Sequence, residues 1–133
     1  GLDLNDYLVR HRAASFLFTV QGYSMQGAGI VDGDKVVVDR SIDPQHNHIV
    51  IAVVDGEYTI KRLYWRGSRI ELRPENPASQ PICFADGSQL EIWGVVVGVV
   101  RRCLVWRSAR ASSRSWQPVP TTIHVHPCSA WWT

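Results

Sequence analysis

The chain has 133 residues, with 14 Lys and Arg against 12 Asp and Glu, so its size and charge are those of one small domain. It is 45% hydrophobic and 20% charged, an ordinary globular composition that excludes intrinsic disorder as the expectation. The longest apolar run, residues 95–100, is far shorter than the roughly 20 residues of a membrane span, and no export signal opens the chain, so we expect a cytoplasmic protein without a membrane anchor.

The charge is distributed unevenly. Residues 1–102 hold 11 of the basic residues, all 12 acids and all ten glycines, whereas residues 103–133 hold three arginines and no acid, lysine or glycine. The second stretch also has four of the six tryptophans and shows no regular hydrophobic period. We therefore predict one domain over residues 1–102 and an appended tail over residues 103–133.

In chain order, the pattern predicts a short helix first and strands afterwards. Asp3 or Asn5 can cap a helix that ends near His11. From residue 16 onward, β-branched and aromatic runs separated by Gly, Asp, Asn and Pro predict strands over residues 16–20, 35–38, 49–53, 57–64, 69–72 and 90–100. Asp55-Gly56 and Arg66-Gly67 predict hairpins, and the prolines of residues 74–81 predict a loop. The predicted fold class is mostly β: a compact antiparallel sheet with one short N-terminal helix.

The segment Gly22-Tyr23-Ser24-Met25 follows the first predicted strand, so Ser24 would lie on a sharp turn. A serine placed there can present its hydroxyl, and backbone N–H groups at such a turn can face an oxyanion. A turn serine is more often only structural. No histidine lies in a plainly buried strand where it could serve as the base.

A lysine can replace histidine as the base if burial lowers its pKa from about 10.4 toward 7. Lys61 is the best candidate, because strand alternation places it with Thr59 and Leu63 on one face of its strand. If that face points into the core, Lys61 is buried beside the rest of the site. Since lysine is rarely buried, a solvated Lys61 is the alternative. Lys35, the other lysine, is predicted to be an exposed residue at the start of a strand.

The cysteines and histidines predict no metal site. The three cysteines form no C-x-x-C pair, which fits a reducing cytoplasm. His124, His126 and Cys128 alternate and would share one side of an extended segment, as zinc ligands could. A fourth ligand is not evident, so we interpret them as a chance cluster. His46 and His48 are predicted to be solvated loop residues, and we expect no cofactor.

Several linked motifs resemble one peptidase family in order and spacing. They are the Ser24 turn, residues 30–34 with 36–39, residues 49–53 and residues 55–62. Residues 3–8, 74–77 and 90–96 extend the likeness over about residues 2–102. Together they resemble the C-terminal domain of the LexA/UmuD group of self-cleaving Ser-Lys peptidases, and most closely its UmuD branch.

The resemblance implies a fold, a mechanism and a set of partners. The fold would be the barrel-like LexA and signal-peptidase type. Ser24 would be the nucleophile, neutral Lys61 the base, and the backbone N–H groups of Tyr23 and Ser24 the oxyanion hole. Family members cut their own N-terminal arm when bound to a RecA-type recombinase filament in the SOS response to DNA damage. The UmuD-like product then acts as a homodimer with a Y-family, UmuC-like polymerase in error-prone translesion synthesis.

The sequence departs from this family pattern at both ends. The arm is nearly absent, so Gly1 is either the terminus left by cleavage or a remnant of trimming, and we expect no substrate bond in cis. The tail after Arg102 has no counterpart in the family, and we interpret it as a frameshifted, fused or vector-derived extension.

Three alternatives stay open. A LexA-like repressor would need a helix-turn-helix and a basic DNA-binding surface, whereas residues 1–102 carry a net charge of about −1, which predicts no direct specific DNA binding. A signal-peptidase relative would need a membrane anchor. A non-catalytic β-domain used only for binding predicts that Ser24 and Lys61 lie far apart.

Overall fold

The computed structural model describes residues 1, 3–84, 90–103 and 124–127, the last by backbone alone. Its elements are one helix and eight strands: α1 (Leu4–Leu8), β1 (Ser15–Thr19), β2 (Lys35–Asp39), β3 (Ile49–Val54), β4 (Glu57–Arg66), β5 (Arg69–Arg73), β6 (Ile82–Phe84), β7 (Glu91–Val100) and β8 (His124–Pro127). The strands form one antiparallel sheet in the order β6-β5-β4-β3-β7-β2-β1-β8. The predicted fold class is confirmed. No helix in the described ranges is long and apolar enough to cross a bilayer.

Both predicted hairpins are present. Asp55 and Gly56 have φ values of 50° and 79° between β3 and β4, which is the positive pair that a type I′ turn requires. Gly67 has φ 60° at the turn between β4 and β5. Local turn chemistry therefore fixes the register of the two hairpins that carry Lys61.

The middle of the sheet is covered on both faces. The register between β2 and β7 shifts at Val37/Val38, and that between β3 and β7 shifts at Ile51/Ala52. Such irregularities bend strands, and the buried side chains fall into two clusters, one around Phe18 and one around Leu63. Consecutive residues of β4, Ile60 and Lys61, are both buried. A strand buried on both faces can hold a polar side chain away from water.

The N-terminal helix is shorter than predicted. Asp3 caps it as expected, its side chain accepting the Asn5 N–H at 2.8 Å. The helix ends at Leu8 instead of near His11, because it buries no residue and Val9 is already extended. The His11 ring lies 2.9 Å from the Asp39 carboxylate. The expectation of a longer helix was wrong because this contact with Asp39 keeps His11 and the residues before it from continuing the helix.

Two strands were not predicted. Ile82–Phe84 forms β6 directly after the predicted loop, which is observed over residues 74–81. In the stretch predicted to be a tail, His124–Pro127 forms β8 and pairs with β1 from Thr19↔His124 to Phe16↔Pro127. Residues 104–123 and 128–133, including Cys128, lie outside the described residues, so the division at residue 102 and the interpretation of the His124, His126 and Cys128 cluster stay predictions.

Candidate active site

The Ser24 turn follows β1 and precedes a single 3-10 turn, Gln26–Ala28. Gly22 has φ 92°, a conformation that a side chain would strain, and its N–H donates to Asp32 Oδ1 at 2.7 Å. Met25 is 1% exposed and anchors the turn in the core. Ser24 itself is 7% exposed, so its hydroxyl lies in a largely desolvated position.

Lys61 is buried, so the face that it shares with Leu63 does point into the core, and the solvated alternative that the strand pattern left open is wrong. Its exposure is 7%, and Leu63 on the same face is fully buried. Burial disfavours the ammonium and lowers the pKa of Lys61 to about 8. Lys35 starts β2 as predicted but is half-buried, its amine donating to Thr19 Oγ1. The two lysines therefore lie in different environments.

The two side chains meet. Lys61 Nζ lies 3.1 Å from Ser24 Oγ, 2.9 Å from Thr59 Oγ1 and 3.1 Å from the Ile60 carbonyl oxygen. A neutral amine has two N–H donors and one lone pair. The Thr59 hydroxyl and the Ile60 carbonyl can accept the two N–H groups, which leaves the lone pair for the hydroxyl proton of Ser24. The non-catalytic alternative predicted widely separated side chains, and the structure contradicts that separation.

The loop after β5 holds the Ser24 turn in place. The Glu75 N–H donates to the Ser24 carbonyl at 2.8 Å, and Asn76 Nδ2 donates to the Tyr23 carbonyl at 2.9 Å. In return, the Gly27 N–H donates to the Glu75 carbonyl at 2.7 Å. A Cβ on Gly27 would lie 2.6 Å from that carbonyl oxygen, so only glycine allows this close approach.

Arg62 connects the same loop to the strand that carries Lys61. Its Nε donates to Glu75 Oε1 at 2.5 Å, and its guanidinium also donates to the Asn47 carbonyl at 2.8 Å. Strand alternation places Arg62 on the opposite face from Lys61. The Ser24 turn, the Glu75 loop and β4 are thus joined around the dyad. The sequence analysis singled out residues 74–77 only as part of a resemblance, since contacts between segments about 50 residues apart leave no local pattern.

The peptide between Tyr23 and Ser24 has a fixed orientation. Its carbonyl oxygen accepts from Asn76 Nδ2 and from the Gln26 N–H, the latter at 3.1 Å. Because the described peptide bonds are all trans, the Ser24 N–H points away from those two donors. The predicted oxyanion role of the Tyr23 and Ser24 N–H groups stays a prediction.

The loop histidines are structural. His46 Nδ1 accepts the Trp65 N–H at 3.0 Å, and His48 Nδ1 accepts the Gln45 N–H at 3.1 Å. Both side chains are half-buried. Their position in a loop was predicted correctly, and they are partly rather than fully solvated because each ring accepts a backbone N–H. Within the described part of the chain, no three potential ligands cluster as a metal site.

Comparison with known proteins shows the family to which the chain belongs. Residues 1–97 match the Peptidase S24-like family. The chain is 49% identical to a LexA repressor of Syntrophotalea carbinolica, over 71% of this chain and 45% of that protein. It is 42% identical to Protein ImpA of Salmonella typhimurium, over 76% of this chain and 68% of ImpA. It spans about half the length of the LexA repressors that it matches. The chain belongs to the Peptidase S24-like family.

Proposed function

We propose that residues 1–102 form a self-cleaving serine peptidase domain in which Ser24 is the nucleophile and Lys61 the general base. The observation that carries this proposal is the 3.1 Å separation of Ser24 Oγ from the Nζ of a buried Lys61. Desolvation of Lys61 supplies the second requirement, a base that is partly neutral near physiological pH. Family membership supports a peptidase over other uses of such a pair.

The reaction is acyl transfer in two steps. Neutral Lys61 takes the Ser24 proton as Oγ bonds to the carbonyl carbon of the scissile peptide. The resulting ammonium then protonates the leaving amine, and the C–N bond breaks to give an ester on Ser24. Lys61, neutral again, takes a proton from the water that attacks the ester carbonyl. The Lys61 ammonium returns that proton to Ser24 Oγ as the ester bond breaks, which releases the acid product and restores both side chains. The N–H groups of Ser24 and Tyr23 would stabilise the oxyanion in both steps.

The proposed biological role is UmuD-like. The substrate bond would lie in an N-terminal arm of a longer chain, and cleavage would be assisted by a RecA-type recombinase filament. The processed protein would form a homodimer and serve a Y-family, UmuC-like polymerase during translesion synthesis in the SOS response. The match that covers about two thirds of Protein ImpA supports this branch.

A LexA-like repressor is the second candidate. The 49% identity to a LexA repressor supports it as directly. In that case the same dyad would cleave a linker between this domain and a DNA-binding domain. The two candidates differ in partner: a UmuD-like product should co-purify with a Y-family polymerase, whereas a LexA-like protein should bind operator DNA before cleavage and release it afterwards.

Self-cleavage tests the proposed chemistry. In a longer chain that carries its natural N-terminal arm, incubated with recombinase filaments, Ser24→Ala is expected to abolish cleavage because no other group replaces the attacking oxygen. The measurement is the appearance of the shorter fragment by gel electrophoresis and mass spectrometry. Ser68→Ala, at the exposed tip of the hairpin between β4 and β5, is the matched control and should cleave normally. Cleavage by the Ser24→Ala protein would refute the assignment.

A further inference from the structure

One face of the hairpin formed by β4 and β5 is rich in arginine. Cross-strand neighbours share a face of a sheet, and side chains alternate along each strand. Three such pairs therefore lie together, namely Arg62↔Arg73, Tyr64↔Glu71 and Arg66↔Arg69. Arg62 is engaged by Glu75 and the Asn47 carbonyl. We define the arginine face as the remaining five: Tyr64, Arg66, Arg69, Glu71 and Arg73.

Glu71 fixes two of these guanidinium groups. It is 4% exposed. Its Oε1 accepts from Arg69 Nε at 2.7 Å and forms an ion pair with a second Arg69 nitrogen 2.5 Å away, while its Oε2 accepts from Arg73 Nε at 2.7 Å. Hydrogen bonds from Arg73 and Arg69 lower the pKa of Glu71, so the carboxylate stays ionised. The Arg69 and Arg73 side chains remain 68% and 43% exposed. Their positions are nevertheless fixed by their contacts with the buried Glu71 carboxylate.

The aromatic rings add a second constraint. The Arg73 guanidinium lies 3.7 Å from the centroid of the Tyr64 ring. The centroid of the His46 ring lies 5.1 Å from that of Tyr64, in a T-shaped arrangement. A guanidinium has five N–H donors, and Glu71 accepts a hydrogen bond from one donor of Arg69 and one of Arg73. The remaining donors are therefore available to a ligand on side chains that are already ordered. Binding would cost less conformational entropy than on free arginines.

We propose that the arginine face binds the phosphodiester backbone of single-stranded nucleic acid. Ordered guanidinium forks match phosphate oxygens in a bidentate manner. Trp65 pairs with Ile70 and so lies on the other face of the same hairpin end. It is 45% exposed, and a strand that passes around the hairpin tip would bring an unpaired base onto its ring. The site is separate from Ser24 and Lys61 and does not depend on the proposed peptidase chemistry.

The net charge of residues 1–102 did not predict this surface. A value of about −1 averages over the whole domain, whereas the hairpin register brings three arginines to one side of two strands. The acidic residue among them, Glu71, is buried and orients the guanidinium groups of Arg69 and Arg73. The proposed affinity is therefore local, moderate and independent of base sequence.

Fluorescence anisotropy with the full chain tests the proposal. The probes are labelled thymidine and uridine oligonucleotides of about 16 nucleotides, titrated from about 50 to 200 mM salt. Three phosphate contacts predict that log K falls with log salt with a slope of about −2, since each contributes about 0.7 on single strands. Replacing Arg66, Arg69 and Arg73 by Gln should weaken binding at least about tenfold at low salt and remove most of that slope.

Two further variants separate this site from a general charge effect. Replacing three exposed arginines elsewhere, Arg10, Arg12 and Arg102, by Gln removes the same charge and should leave affinity within about twofold. Arg69→Lys with Arg73→Lys keeps the charge and removes the forks, so affinity should fall while the salt slope is retained. Equal losses in the Gln-substituted hairpin and in the control would overturn the proposal, as would full affinity in the lysine variant.

Cys83 provides a readout that leaves the arginines intact. It pairs with Glu71 across β5 and β6 and is exposed. In a chain with Cys103→Ser and Cys128→Ser, the oligonucleotide should slow alkylation of Cys83 by a maleimide. An oligoglutamate peptide should not. If oligoglutamate protects Cys83 equally and displaces the oligonucleotide, the face binds acidic protein segments and the nucleic-acid proposal is wrong.

Discussion

Lys61→Met is expected to produce a protein that cannot cleave itself and is more stable than the parent at pH 7. Removing the general base should lower the cleavage rate by a factor of at least about 10² to 10⁴. The gain in stability arises because burial lowers the pKa of Lys61 from 10.5 to about 8. At pH 7 both the folded and the unfolded chain carry a protonated Lys61, so the folded chain bears the full desolvation cost, about 3 kcal/mol.

The hydrogen bonds lost with the amine offset part of this gain in stability. The Ile60 carbonyl and the Thr59 hydroxyl lose a donor, at about 1 kcal/mol for a typical hydrogen bond. We therefore expect Lys61→Met to raise the free energy of unfolding by about 1–2 kcal/mol at pH 7.

The advantage should shrink as pH rises from 8 to 10.5, because over that range the unfolded chain binds a proton that the folded chain does not. Urea denaturation at pH 7 and pH 10 measures both effects, with Lys35→Met as the control for loss of one lysine. A destabilised Lys61→Met protein with the same deficit at both pH values would contradict the account.

Gly27→Ala is expected to inactivate the site without touching either member of the dyad. The added Cβ would lie 2.6 Å from the Glu75 carbonyl oxygen, a backbone atom that cannot move alone. The loop must therefore shift, and the Glu75 N–H that holds the Ser24 carbonyl shifts with it. A displacement of about 1 Å in a reacting group can cost 10²-fold in rate, and overpacking costs about 1–3 kcal/mol of stability.

Gln26→Ala is the matched control for Gly27→Ala. Gln26 is exposed in the same 3-10 turn, so its truncation should leave both the cleavage rate and the thermal midpoint near those of the parent. Rates are compared by gel at a temperature where both variants are folded by circular dichroism. If the Gly27→Ala protein cleaves at the parental rate, the Glu75 loop does not position Ser24.

The sequence was sufficient to predict features that local chemistry decides. Asp55-Gly56 set the hairpin that carries Lys61 because two positive φ values are needed there. Alternation along β4 placed Lys61 on the same face as Leu63 but did not decide whether that face is buried. The family resemblance favoured a buried Lys61 over a solvated one. The short helix was predicted with its cap but without its end, since the contact between His11 and Asp39 depends on residues 28 positions apart.

The support around the dyad required the structure. Thr59 shares the Lys61 face two residues earlier, so alternation placed it there, but its hydrogen bond to Nζ depends on the conformation of both side chains. Glu75 and Asn76 reach the Ser24 turn, and Arg62 reaches Glu75, only because β4, β5 and the following loop fold back over that turn. Such contacts are properties of the tertiary fold and have no signature in a single sequence.

The pKa of Lys61 is the most direct test of the account. The chain has only two lysines, so selective carbon-13 labelling at Cε gives two NMR signals, and Lys35→Arg identifies the signal of Lys61. We predict a titration midpoint of about 8 for Lys61, retained in Ser24→Ala because burial is the cause, and a cleavage rate that rises with pH through the same midpoint. A Lys61 midpoint near the ordinary value of about 10.4 would contradict a desolvated general base.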